Sequence, residues 1–334
     1  MAAMKLFYYL KPLIPRRLQL MLRRVRIRRQ LPKYASVWPV LEKAGKAPDG
    51  WRGWPEDKEF AVVLTHDVES ASGHDKCEKL MEMEKNAGFR SSFNFVPERY
   101  KVSPELRDLL TKNGFEVGVH GLKHDGKLYQ SKEEFLSRAV RINRYLRDWK
   151  AAGFRSPAMH HNLEWLHHLN IKYDLSTFDT DPFEPQSDGV ETIFPFRVFN
   201  PGSDSSYLEF PYTLAQDFTV FILMQEKSID IWRKKTDWIA EKKGMVLVNV
   251  HPDYMNFESN DPGLEDFPAG LYLELLEYIK TKYKDRYLNV LPGELAAYMD
   301  KQETATRKSK INAVGKKGVI NAHSTEDHWN EKLH

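Results

Sequence analysis

The chain predicts an α/β protein built on a parallel sheet or barrel, and three observations carry that expectation. Phe60-Ala61-Val62-Val63-Leu64-Thr65 and Met245-Val246-Leu247-Val248-Asn249-Val250 are short, continuously apolar runs, the pattern of strands buried on both faces. Amphipathic helical stretches alternate with further strand candidates between them. Glycines stand where those helices should stop, at Gly88, Gly114 and Gly153.

Taken in order, the first strand is followed by a helix over about 75–87 and a strand from Arg90 to Val96. Pro104–Asn113 reads as the next helix, Phe115–Val119 as a strand, and 132–151 as a long amphipathic helix. The stretch 172–215 is richer in Pro, Asp and Phe, which predicts strands, Tyr173–Phe178 among them, joined by long loops. A helix over 227–243 leads into the strand at 245–250. A helix over 264–283, a strand over Tyr287–Leu291 and a short last helix complete the body. Beyond residue 301 the chain is polar and aperiodic and is expected to be disordered.

The net charge of +3 conceals a division into three parts. Residues 1–34 hold ten Lys/Arg and no acid, the body over 35–300 carries −10, and 301–334 carries +3. Within the arm, Leu18, Met21, Leu22 and Val25 fall at helical spacing among arginines. Such a segment packs on the body or lies on an anionic membrane surface. Nucleic acid is the less expected partner, because no recognised binding module accompanies the arginines. Cys77 stands alone, so an intramolecular disulfide and a cysteine metal site are both excluded. Lys11, Pro12 and Pro15 interrupt the one apolar stretch near the start, and no run approaches the roughly 20 residues that span a bilayer. The expected location is cytoplasmic, with peripheral contact at the inner membrane face through the arm.

Polar groups gather where the strand candidates end. Thr65-His66-Asp67-Val68-Glu69 closes the first strand, His120-Gly121-Leu122-Lys123-His124 another, and His251-Pro252-Asp253 the strand at 245–250. Arg155-Ser156-Pro157 and Asp179-Thr180-Asp181-Pro182 follow two more. In barrels of alternating strands and helices, active sites are built at these C-terminal strand ends. His120 and His124 are spaced i, i+4, which on a helical turn aims both imidazoles one way. Imidazole pairs suit Zn²⁺ and similar ions, and a carboxylate such as Asp67 or Glu69 would complete a three-ligand catalytic site.

These residues resemble the motifs of the polysaccharide deacetylases, carbohydrate esterase family 4 or the NodB-homology domain, in the right order over about 60–300. The family's Thr-Phe-Asp-Asp-Gly is matched loosely by Thr65–Glu69, and its His-(Ser/Thr)-x-x-His by His120–His124. Arg-x-Pro appears as Arg155-Ser156-Pro157, and the apolar strand ending in His as Leu247–His251. The resemblance implies a distorted (β/α)7 barrel and one divalent metal, Zn²⁺ first among the candidates, held by an Asp-His-His set. The usual second Asp of the first motif is Val68 here. Either Glu69 is the third ligand and Asp67 the general base, or Asp67 is the ligand and another group the base. The first arrangement is preferred. Arg155 would then hold Asp67 ionised, and His251 would protonate the departing amine.

The expected function is hydrolytic removal of N-acetyl or related acyl groups from an amino-sugar-containing glycan or lipid-linked saccharide. Asp181, Tyr254 and His160 are the candidate substrate contacts, and Trp165, Phe183 and Tyr212 are further aromatics able to stack on sugars. His66 either hydrogen-bonds near the metal or packs at the strand end, His74 reads as a loop residue, and the pair His167-His168 reads as surface or packing. Two alternatives use the same residues: an amidase or imidase acting on a non-sugar C–N bond, and a member that binds glycan without cleaving it.

Overall fold

The computed structural model describes residues 15–258 and 263–302. Residues 1–293 form one unit and 294–334 a second, whose described part, 294–302, is helical. The aromatic segment Leu6–Leu10 and the expected disordered tail beyond Gln302 lie outside the described residues.

β1 (Phe60–Val68) is buried at all nine positions because protein covers both of its faces. β2 (Ser91–Phe95), β3 (Glu116–His120), β4 (Gly153–Arg155) and β5 (Tyr173–Asp174) follow it one by one in parallel register. β6 (Phe196–Phe199) and β7 (Ser206–Glu209) form an antiparallel pair, and β7 lies parallel to β5. β8 (Met245–Val250) returns beside β1 on the edge opposite β2. The curled sheet is drawn together where the Thr213 and Leu214 N–H groups both donate to the Leu247 carbonyl, at 2.9 and 3.1 Å. Leu214 also forms an isolated parallel bridge to Val248. A small ribbon pairs β9 (Met255–Asn256) with β10 (Phe267–Pro268), and β11 (Tyr287–Asn289) lines up on the first half of β1. This is the distorted (β/α)7 barrel that the strand–helix alternation and the motifs led one to expect.

Helices cover the outside at Cys77–Ala87, Pro104–Lys112, Lys132–Asp148, Asp230–Lys242 and Ala269–Lys282. Gly88, with φ +87°, ends the first of these in the left-handed conformation that glycine adopts without strain. Ser103 and Ser131 cap the N-termini of the next two through their hydroxyls. The expected strand over Tyr173–Phe178 forms a ladder only at its first two residues, with a single isolated parallel bridge from Phe178 to Tyr212 at its end. Beyond them Ser176 N–H donates to Asp174 Oδ2 at 2.8 Å and Thr177 N–H to Glu209 Oε1 at 3.1 Å, so side chains replace the ladder. A six-residue π-helical turn at Phe218–Leu223 was not anticipated.

The arm contains a helix, α1 (Arg16–Gln30), laid against that turn. Arg24 Nε donates to the Ile222 carbonyl at 2.9 Å, Arg28 to Gln225 at 2.9 Å, and the Arg23 guanidinium lies 4.9 Å from the centre of the Phe218 ring. Gln19, Leu20 and Ile27 are the residues it buries, and Leu18, Met21, Leu22 and Val25 are exposed. Among the described residues no helix is long and apolar enough to cross a membrane.

Candidate metal centre and active site

Strand alternation sorts the first motif onto two faces. Thr65 and Asp67 point into the barrel, where Thr65 Oγ1 donates to the Val248 carbonyl at 2.9 Å. His66 points outward and meets Glu84 of the helix at Cys77–Ala87, Nε2 to Oε1 at 2.8 Å. Glu84 also accepts from Tyr272 Oη at 2.5 Å and Ser91 Oγ at 2.6 Å, so this buried carboxylate is fully engaged outside the barrel. Of the two roles open to His66, packing at the strand end is the one that this network gives it.

Inside the barrel Asp67 is enclosed by donors. Its Oδ1 accepts from Asn94 Nδ2 at 3.1 Å and pairs with Arg155 Nη1 at 3.3 Å, and its Oδ2 accepts from Asn249 Nδ2 at 2.8 Å. Burial raises the cost of its charge, but Arg155 and the neighbouring imidazoles outweigh that and hold the carboxyl down at about 2. Arg155 is itself fully buried, and also donates to Thr65 Oγ1, Asn249 Oδ1 and the Leu175 carbonyl.

Glu69, one residue past the strand, lies in a different setting. Its Oε1 is 2.9 Å from His124 Nε2 and 4.0 Å from His251 Nε2, and its Oε2 accepts from Tyr254 Oη at 3.2 Å. Burial opposes its ionisation, yet His124 above all holds it well below the ordinary range. Val68 points away from the barrel interior and is buried, with its carbonyl accepting from Tyr100 Oη at 2.5 Å. The position left without a carboxylate in the motif therefore faces the outer layer, and Glu69 supplies the acid.

His120 ends β3, and its Nδ1–H donates to the Arg155 carbonyl at 3.1 Å. That bond settles the tautomer and leaves Nε2 as a bare lone pair. Burial lowers His120 to about 4, so the imidazole is neutral at physiological pH. The expected helical turn between the two histidines is absent. Residues 121–124 form a bend, with Gly121 at φ +60° and His124 at φ 53°, which brings the ring centres to 5.2 Å. Glycine is required at 121 for a second reason, since a Cβ there would meet the Pro157 ring at 2.5 Å. The bend thus does the work that the i, i+4 spacing had assigned to a helix.

Glu69, His120 and His124 have ligand atoms all within 4.8 Å of one another. The Nε2 atoms of both histidines are buried and make no hydrogen bond, the 2.9 Å approach of His124 to Glu69 being off-line for one. Two buried imidazole nitrogens facing a carboxylate fit a divalent cation, which would take up both the unbonded Nε2 of His120 and the close approach of His124 to Glu69. Asp67, with its oxygens already committed to fixed donors, is not part of that trio.

His251 follows β8 on the same inward-facing series as Leu247 and Asn249. Its N–H donates to Asp217 Oδ2 and its Nδ1–H to Asp217 Oδ1, both at 2.7 Å, which turns Nε2 toward Glu69. Burial disfavours its charge, but Asp217 overcomes that and lifts it to about 10, so it carries its proton through the neutral range. Tyr254 stands beside it at a ring distance of 5.3 Å and borders the trio. His160 lines a shallow recess next to His124, with Lys123 and Pro157. Asp181 lies apart. Its two oxygens accept from Tyr212 Oη and Phe183 N–H at 3.0 Å each, and it reaches the site only through Tyr212, Glu184, Gln216 and Asn249. His167 and His168 belong to a short 3-10 turn and take no part.

No protein-family model matches the chain, and no curated protein does. Solved structures do. One from Mycobacterium smegmatis, assigned as a polysaccharide deacetylase, superposes with a TM-score of 0.59 at 17% identity, over 77% of this chain and 96% of that one. The fold is that of the polysaccharide deacetylases. A second such structure, from Pseudomonas aeruginosa PAO1, gives 0.56 at 14% identity over 74% and 93% of the two chains. The Puue allantoinase gives 0.54 at 14% identity over 73% and 91%. On this deacetylase fold the residues singled out from the motifs converge at one end of the barrel.

Four contributors were not singled out from the sequence. Asn249 is the one polar residue of the otherwise apolar strand at 245–250, Asn94 stands between two phenylalanines in a strand that also holds Ser91 and Ser92, and Asp217 follows Gln216 between the largely apolar runs 210–215 and 218–224. A lone polar residue in a buried run must find a partner, and that was the available signal. Glu84 gave none, because its helix carries several acids and only packing decides which one is inside.

Proposed function

We propose that this chain is a metal-dependent hydrolase that removes N-acetyl groups from an amino-sugar-containing glycan or a lipid-linked saccharide. The observation that carries the reading is the pair of bare, buried imidazole nitrogens of His120 and His124 facing Glu69, with the His251 imidazolium on one side and ionised Asp67 on the other.

In this reading Glu69, His120 and His124 hold one Zn²⁺. When bound, such an ion polarises the amide carbonyl and makes a water molecule acidic near neutral pH. Asp67 takes the proton as water adds to the carbonyl carbon, and Arg155, Asn94 and Asn249 hold its carboxylate in place. His251 gives its proton to the nitrogen as the C–N bond breaks, and Asp217 keeps the imidazole charged and oriented beforehand. The products are acetate and a free amine. Tyr254 and His160, at the edge of the trio, are the residues placed to meet the sugar, and Asp181 acts on it only through its hydrogen-bonded chain.

A second reading has support of its own, since the allantoinase shares the fold almost as closely. The Zn²⁺-loaded full chain, offered chitooligosaccharides, peptidoglycan fragments and cyclic amides, separates the two. Acetate release from the first two substrates is the expected result. Ring opening without acetate moves the assignment to an amidase, and bound metal with no turnover on any of them removes the hydrolase.

A further inference from the structure

The two sides of α1 differ in a way that packing on the barrel does not explain. At about 100° per residue, Leu20 and Ile27 fall on one side, and Leu18, Met21, Leu22 and Val25 on the opposite side. The first pair is 0% and 5% exposed. The second group is exposed to 41%, 51%, 45% and 38%, four large apolar side chains in one stripe. Among the described residues only five other large apolar side chains are as exposed, so this is the main apolar face left open. Arg17 and Arg28 flank the stripe on one edge, Arg26 lies on the other, and Arg29 falls within it; all four are exposed. The helix has no acidic residue.

We propose that this outer face of α1 docks on an anionic lipid surface, with the four apolar side chains entering the headgroup–acyl boundary and the arginines meeting the phosphates. An apolar stripe edged by long cations on both sides is the arrangement of helices that lie in a membrane interface. Arginine stems bury beside the apolar residues while their guanidinium groups stay at the lipid phosphates. A second copy of the chain would bring like charges together along both edges, and a nucleic acid would leave the apolar stripe uncovered. The inner side of the helix is already anchored, by Arg24 to Ile222 and Arg16 to Glu265 Oε1 at 2.7 Å, and Arg28 at the stripe's edge bonds Gln225 of the body, which leaves Arg17, Arg26 and Arg29 for the phosphates, so docking costs no unfolding of the body.

The anchorage also links the surface to the site. Arg23 lies over Phe218, Phe218 packs on Tyr254 at 4.8 Å, and Tyr254 Oη donates to Glu69. Docking through α1 therefore puts the trio three side chains from the helix that holds the membrane. A lipid-linked saccharide would meet it there, a consequence that rests on the proposed activity, whereas the docking itself does not.

The test is co-sedimentation of the full chain with vesicles of phosphatidylcholine containing or lacking phosphatidylglycerol. Binding to the anionic vesicles only, weakened by 0.5 M salt, is expected. Met21→Glu combined with Leu22→Glu should reduce the partition coefficient roughly tenfold or more, with melting temperature and turnover of a soluble substrate unchanged. Absence of wild-type binding to anionic vesicles overturns the proposal, as does a double variant that binds equally well. A double variant that turns a dimer into a monomer overturns it in favour of a contact between copies. Turnover is read separately on the soluble substrate, so failure of the docking and failure of the hydrolase reading are distinct results.

Discussion

Asp67 and Glu69 are two residues apart and carry the same charge, the first buried and the second partly so, yet the fold gives them different surroundings. Asp67 ends in a closed set of fixed donors, two asparagine amides and a guanidinium. Glu69 meets one tyrosine hydroxyl and two histidines, with the buried Nε2 atoms of His120 and His124 lacking any hydrogen bond. A carboxylate whose lone pairs are filled by protein donors is held in place and in charge; one facing bare lone pairs calls for a cation. In the proposed reading, ligand and base are distinguished by what surrounds them and not by residue type.

The strongest way to break this contrast is to remove the imidazoles. His120→Ala or His124→Ala is expected to abolish metal retention after dialysis, a larger loss than the roughly 10–100-fold that accompanies a missing outer partner. Elemental analysis showing one equivalent still bound would dismiss the ligand assignment. Next, exchanging the two carboxylates for amides should separate their roles. Asp67→Asn is expected to keep the metal and lose roughly 10²–10⁴-fold in turnover, while Glu69→Gln loses the metal itself. Metal kept by Glu69→Gln and lost by Asp67→Asn would make Asp67 the third ligand, and full metal content in both variants would mean that neither is.

Asp217→Asn should act more mildly, since it leaves the His251 ring in place but removes the charge that sustains its proton. Turnover should fall by roughly 10–10²-fold, with metal content unchanged, and the alkaline limb of the pH–rate profile should move to lower pH. An unaltered profile would mean that His251 is not the proton donor.

The smallest effect is on stability, at Asp181, whose carboxyl is pushed up to about 8 by burial and then by the neighbouring Glu184. A carboxyl raised on folding favours the folded state below its ordinary value near 4, and that contribution is lost as pH rises through about 8. The wild-type melting temperature should therefore fall between pH 6 and 9, and Asp181→Asn, neutral throughout, should fall by roughly a few degrees less. Parallel curves for the two proteins would remove Asp181 as the source.

Much of this was legible beforehand where the physics is local. β1 and β8 announce themselves because a strand covered on both faces has to be apolar throughout. Helix ends at Gly88 and the serine caps follow from backbone groups that need partners within a turn. The strand over Tyr173–Phe178 was overextended, because one of the carboxylates that replace its ladder, Glu209, lies 32 residues further along the chain. The helical turn proposed for His120–His124 failed for a similar reason: Gly121 is pressed against Pro157, a neighbour that only the β3–β4 pairing supplies.

By itself the sequence determined the alternating architecture, the strand ends that bear chemistry, and the candidates Asp67, Glu69, His120, His124, Arg155 and His251, since periodicity and residue type are properties of short segments. Only the tertiary structure decided which carboxylate faces the histidines, that Asn94 and Asn249 fix the other one, and that Asp217 charges His251. It also decided that α1 turns Leu20 and Ile27 inward and its longer apolar stripe outward. Those outcomes depend on groups far apart in the chain, and their energies come from desolvation and direct contact, which exist only once the barrel has closed.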